Sequence, residues 1–148
     1  MSKLDLEAYA KEHITYEIRT LIASSYFRQT RNPKDQSFVT NALYVAFCTH
    51  ARQISDFLRN GGPGNTIRAK DYIPKRISQG KKPDWARNVD DKIVHLGKER
   101  ISNFTISVEE ILQNLEKELW EFYDNLPHDK KDWFLVIPEC FPKQKQNE

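Results

Sequence analysis

The segment "SVEEILQNLEKELWEFYDNLP" spaces its apolar residues in a way that few folds accommodate. Val108, Leu112, Leu115, Leu119, Phe122 and Leu126 recur at alternating intervals of four and three. That period lays one apolar stripe along an α-helix and has no counterpart in the two-residue period of a strand. Ser107 followed by Glu110 forms a capping box at its start, and Pro127 closes it. An amphipathic helix has to bury its stripe against other elements, so the rest of the chain must supply them.

Three further helices are expected. The first spans about residues 4–27, with Ala10, Ile14, Ile18, Leu21, Ile22 and Ser25 along one side. "RNPKDQ" breaks it, because Pro33 disfavours helix at Asn32. The second spans about residues 37–59 and stops at "NGGPG". The third spans about residues 84–104, with Asp84 as a candidate N-cap. The tail "DWFLVIPECFP" is short, apolar and bounded by prolines; it reads as an extended strap over the helices, since no other segment offers a partner strand. The expected fold is therefore all-α, a single domain over residues 1–148. Its four helices form an antiparallel bundle with a connector at about residues 60–84 and an extended tail at about 127–148.

Composition removes several classes of function. Apolar residues make up 39% of the chain and charged residues 30%, so it is neither disordered nor membrane-embedded. No run approaches the roughly 20 apolar residues of a membrane span, and "MSKLDLEAYAKE" lacks a signal-peptide core. Cys48 and Cys140 lie far apart without a CxxC partner, as expected of reduced thiols in the cytoplasm. His13, His50, His95 and His128 show no HxxxH or HExxH spacing, so neither a metal nor another cofactor is expected. "GGPGN" follows a helix and lacks GK[ST], which makes it a helix stop and not a phosphate loop.

Charge is distributed unevenly. Residues 60–84 carry six basic side chains (Arg68, Lys70, Lys75, Arg76, Lys81, Lys82) against Asp71 and Asp84. Residues 104–126 carry six acidic ones against Lys117. The basic connector and the acidic helix can meet within one molecule or between two, or remain separate solvated surfaces. Arg68, Lys70, Asp71, Tyr72, Lys75, Arg76 and Lys92 are the candidates for a nucleic-acid or anionic-ligand surface. Tyr26, Phe27, Tyr72 and Trp85 lie near basic residues and are candidates for stacking on bases, although most aromatic residues of such a chain belong to its core.

Two ionisable residues interrupt apolar stripes. At about 100° per residue, Leu43, Ala46, Phe47, Ile54, Phe57 and Leu58 share one face of the second helix, and His50 falls in their middle. Arg52 lies opposite, with Asp56 one turn on as an i,i+4 pair. On the third helix Arg100 falls within the face formed by Trp85, Val89, Ile93, Leu96 and Phe104. A buried guanidinium requires a partner, and Glu17 at the edge of the first helix's apolar face is the candidate. His50, Arg100, Glu17, Arg52 and Asp56 thus define an expected polar centre, either structural or functional.

These residues carry a resemblance. "NALYVAFCTHARQISDFL", then "DYI", then "DKIVHLGKER" resembles a widespread group of small, uncharacterised bacterial all-α proteins. The pattern maps onto Asn41, His50, Arg52, Asp56, Phe57, Asp71, Tyr72, His95, Leu96 and Arg100, and spans about residues 41–100. More distantly, the arrangement is similar to HEPN domains, helical bundles of bacterial toxin–antitoxin and phage-defence systems. Those that are ribonucleases carry an Arg, four to six residues, then a His. "RNVDDKIVH" supplies Arg87, Asn88 and His95, but with seven residues intervening. The resemblance implies a homodimer that cleaves RNA without metal, His95 acting as general base or acid and Arg87 steadying the phosphate. It also implies a protein partner such as an antitoxin. The alternative expectation is a non-catalytic helical interaction module that binds a partner protein or a small anionic ligand, with His50 and Arg100 structural.

Overall fold

The computed structural model describes residues 3–30, 38–59, 66–73, 83–89 and 107–143. It is all-α, with no strand among the described residues. The first predicted helix is α1 (Lys3–Tyr9), a π-helical turn (Ala10–Ile14) and α2 (Thr15–Thr30) in one continuous run. The N–H of Thr15 reaches back to the carbonyl of Ala10, five residues earlier, and its hydroxyl donates to the same oxygen at 3.2 Å. The wider turn brings Ala10 and Ile14 into line with Ile18 and Leu21, all buried.

The second predicted helix is α3 (Phe38–Leu58). It runs antiparallel to α2. Glu17 and His50 touch, each about a dozen residues from the short link between the two helices, which only an antiparallel pair allows. Beyond a 3-10 turn at Ala69–Asp71 comes α4 (Asp84–Val89). The carbonyl of Pro83 accepts the N–H groups of Ala86 and Arg87, so Asp84 occupies the first turn of α4 and not its cap. The remainder of the predicted third helix lies outside the described residues. Helix α5 (Val108–Asp124) begins as its capping signal requires, the Ser107 hydroxyl accepting the N–H of Glu110 at 3.2 Å. Its buried stripe is Ile111, Leu115, Leu119 and Phe122; Val108 and Leu112 are half-buried beside it.

The tail differs from the expectation. It packs over the core as a strap should, but it is not extended: α6 (His128–Lys131), a 3-10 turn (Asp132–Phe134) and α7 (Val136–Cys140) follow one another. Trp133, Phe134, Val136, Ile137 and Phe141 are buried while Leu135 and Glu139 are exposed, a helical alternation too short to stand out in an apolar run. Polar contacts fasten it. Trp120 Nε1 donates to the carbonyl of Phe141 at 3.0 Å, and Lys143 lies 4.2 Å from the Trp120 ring while bonding Asp124. Arg19 meets Glu139 at 3.2 Å.

Four rings from four parts of the chain meet at the centre: Phe57 of α3, Tyr72 of the connector, Phe122 of α5 and Phe134 of the tail. Tyr72 stands edge-on to Phe134 at 5.0 Å and Phe122 stands edge-on to Phe134 at 4.9 Å. Phe57 meets Phe122 in the same way at 5.4 Å. Such pairs contribute about 0.5–1.5 kcal/mol each beyond their buried area.

Both cysteines are free thiols. Burial pushes the Cys48 thiol up to about 12, against a smaller opposing hydrogen bond with Tyr44. Alkylation of the native protein at pH 8, read by mass spectrometry, is expected to label the half-buried Cys140 and spare Cys48 until denaturant is added. Equal labelling of both native thiols would contradict this placement.

Candidate functional site

Midway along the α2–α3 pair, His50 Nδ1 lies 2.7 Å from Glu17 Oε2, with side chains 15% and 24% exposed. With the carboxylate accepting from Nδ1–H, Nε2 is the ring nitrogen that Glu17 leaves unengaged. The Tyr16 ring stands edge-on to the imidazole at 5.7 Å, and Tyr16 is itself exposed. Tyr9 lies on the other side of the π-helical turn, its ring tilted against that of His13 at 5.0 Å. Burial, and then the charge of Glu17, raises the Tyr9 phenol above its ordinary value. A carboxylate that orients an imidazole is the arrangement of a base and its orienting group, and here it also bridges two helices.

The position of His50 is not the expected one. The buried stripe of α3 runs through Phe47, Ala51, Ile54 and Leu58, with Cys48 and Ser55 beside it; Leu43 and Ala46 are only half-buried. His50 therefore sits at the edge of the face and not in its middle. Ala51, Ser55 and Cys48 are buried because they are small where α3 packs closely, and a reading that weighs only large apolar residues places the face too far round. Glu17, the expected partner of Arg100, is on His50. Arg100 lies outside the described residues, as do Lys75, Arg76, Lys92 and His95.

The other candidates are dispersed. Arg52 and Asp56 pair at 3.6 Å one turn apart, as their spacing suggests. In the connector, the Arg68 N–H donates to Asp71 Oδ2 at 2.8 Å, which closes the 3-10 turn, and Lys70 is exposed. Tyr72 does not belong to a binding surface. It is 1% exposed, its hydroxyl donates to the carbonyl of Leu6 at 2.8 Å, and its ring is enclosed by phenylalanines, so it packs the core and cannot stack on a base. Trp85 is half-buried, whereas Tyr26 and Phe27 are exposed. Arg87 is exposed and ion-paired with Asp84 one turn back, with Asn88 half-buried beside it.

Two features escaped the sequence reading. The first is an ion pair between Arg59, at the end of α3, and Glu118 of α5, with side chains 11% and 17% exposed. Arg59 also donates to Ser55 Oγ at 2.7 Å. Burial raises the Glu118 carboxyl, and the adjacent Arg59 only partly offsets this. Each residue directly adjoins a buried leucine, Leu58 or Leu119, so the pair flanks the two apolar stripes where α3 meets α5.

The second is a surface. Six of the exposed large hydrophobic residues lie on the α2–α3 hairpin: Tyr16 59%, Tyr26 62%, Phe27 52%, Phe38 86%, Val39 47% and Val45 43%. No charged residue occurs from Thr20 to Phe27 or from Phe38 to Thr49, in a chain that is 30% charged. Antiparallel pairing sets these two stretches side by side. Outward from the core, Tyr16, Thr20, Ala23, Phe27 and Thr30 follow the four-three spacing on α2, and Phe38, Ala42, Val45 and Thr49 follow it on α3. The missing charge was the signal, visible in the sequence as two uncharged blocks.

Removing His50 strands a partly buried carboxylate, whereas the Arg52–Asp56 pair is local to one helix. Thermal unfolding is expected to show His50→Ala destabilised by about 1–3 kcal/mol and Arg52→Ala by about 0.5 kcal/mol or less. Equal melting temperatures would contradict the assignment. For Glu118, a carboxyl raised on folding holds its proton more tightly folded than unfolded. Its contribution is present on the acid side and is lost as pH rises through the ordinary carboxylate range toward the raised folded value. The stability of wild type minus that of Glu118→Gln, from urea titrations between pH 4 and 8, is expected to fall with rising pH; a flat difference would argue against a buried Glu118.

Among the described residues no three His, Cys, Asp or Glu side chains converge on a metal site, and no helix is long and apolar enough to cross a membrane. No family model, no curated protein and no solved structure matches the chain.

Proposed function

We propose that this chain is a non-catalytic helical interaction module whose docking face is the outer side of the α2–α3 hairpin. The uncharged, aromatic-rich face formed by Tyr26, Phe27, Phe38 and Val45 carries this reading. A helix without charge on any side is ordinarily buried on every side, yet these two stretches expose theirs. Exposed large apolar residues concentrated on one hairpin in this way support a protein–protein contact. Photocrosslinking in cells tests it, with p-benzoylphenylalanine replacing Phe38 or Val45 and, as a control, the exposed Asn114 of α5. Adducts are expected from positions 38 and 45 and not from 114. Absence of adducts at both hairpin positions would overturn the reading.

A second reading, RNA cleavage by a HEPN-like domain, draws on the imidazole of His50, which the Glu17 carboxylate orients. In that reading His95, Arg87 and Asn88 remain the proposed catalytic residues and the basic connector attracts phosphate. Incubation with labelled RNA in EDTA would show cleavage by wild type and its loss in His95→Ala and His50→Ala. Absence of cleavage by wild type, or its survival in both variants, removes this reading.

A further inference from the structure

We propose that α1 is a latch: it opens as a unit about the π-helical turn while α2, α3 and α5 stay folded, and the bond from the Tyr72 hydroxyl to the Leu6 carbonyl holds it shut.

Three observations carry this. The first is a hinge. The turn at Ala10–Ile14 interrupts an otherwise α-helical run. The N–H of Thr15 bonds the carbonyls of Ala10 and Glu12, five and three residues back, where an α-helix would use Lys11. A turn that is one residue too wide is a place where helices bend. Ala10 and Ile14 pin it to the core at 0% and 3% exposure, while Lys11, Glu12 and His13 are exposed. The pivot therefore stays in place when the segment before it swings.

The second is the slight hold on α1. None of its described side chains is buried: Asp5 and Ala8 are exposed, and Leu6, Glu7 and Tyr9 are half-buried. Leu6 and Tyr9 pack against the apolar cluster from its edge, whereas Ile18 and Leu21 of α2 lie within it. The Glu7–Lys11 pair at 2.7 Å and the Tyr9–His13 ring contact at 5.0 Å each join residues four apart, and so tie α1 to the turn and not to another element. A helix of seven residues does not persist alone in water, so α1 is ordered by what it leans on.

The third is the clasp. The Tyr72 hydroxyl donates to the Leu6 carbonyl at 2.8 Å, across 66 residues of sequence. Phe57, Phe122 and Phe134 fix the ring that carries it, so the donor is held still. The charge of Glu17 adds to burial in raising the Tyr9 phenol, so α1 shuts within the field of the Glu17–His50 bridge. The clasp joins α1 to the connector. Whatever draws the connector from the core loosens α1, and the reverse holds equally.

Residue-resolved amide hydrogen exchange of the full chain, followed by NMR, tests the proposal. Glu7, Ala8 and Tyr9 are expected to share one opening, with protection at least about 100-fold below that of Leu21 and Leu115. Low urea should speed exchange at Leu115 and leave those three unchanged, because opening one short helix exposes little surface. Tyr72→Phe is expected to speed the three by roughly 3- to 10-fold, the worth of one hydrogen bond, beyond any change at Leu115. Deletion of Glu12 from the exposed side of the wide turn should restore a continuous α-helix and slow the three. Protection that climbs stepwise from Glu7 to Tyr9 is fraying from the chain end and overturns the latch. So does a Tyr72→Phe variant that speeds Leu115 as much as Ala8. Should Tyr72→Phe fail to fold, the deletion decides: unchanged or faster exchange at the three amides overturns the proposal.

Discussion

Tyr72 is the point on which the rest of the fold converges. It comes from a stretch rich in lysine and arginine, yet it is among the largest fully buried side chains. Its ring joins Phe57, Phe122 and Phe134, which belong to α3, α5 and the tail. Its hydroxyl reaches the carbonyl of Leu6 in α1, and its own carbonyl accepts from Lys130 of α6 at 2.8 Å. One residue therefore ties five segments together, with every polar atom of its side chain satisfied. The phenol is raised above its ordinary value, chiefly by burial, and so remains a neutral donor across the physiological range.

What the sequence discloses depends on whether a residue is buried for its size or for its neighbours. The α5 stripe is legible because large apolar residues and helical period agree, although its centre shifts toward Ile111. The α3 stripe is legible in existence but not in phase, since Ala51, Cys48 and Ser55 are buried by the closeness of helix packing. Tyr72 is hidden by its basic surroundings. The tail is hidden because an apolar run bounded by prolines fits a helix and an extended strap equally well until its burial pattern is known. In the candidate site, the residue types at Glu17 and His50 were apparent as exceptions to patterning, but their pairing depends on the register of two helices far apart in sequence. The Arg59–Glu118 pair was missed because both side chains lie at the flanks of apolar stripes, where charge is ordinarily solvated.

The polar bridge and the uncharged face lie on the same pair of helices and serve different ends. Glu17 and His50 fix how α2 and α3 sit against each other, because a slip by one residue would separate a carboxylate from the ring it holds. The outward stripes then inherit that register. The alignment is held by the apolar packing of Ile18, Leu21, Phe47 and Ile54 together with the 2.7 Å hydrogen bond near the middle of the hairpin. A change at His50 would therefore be felt on a surface that His50 does not form.

The closing helices of the tail also govern how the molecule breathes. Phe134 packs edge-on against Phe122 and Tyr72, so the tail cannot lift without uncovering the rings beneath it. Amide protons in α5 and α7 should then exchange with solvent through one shared opening, at one rate under denaturant, instead of fraying separately from the end of the chain. The short C-terminal helices are thereby expected to exchange with the core they cover.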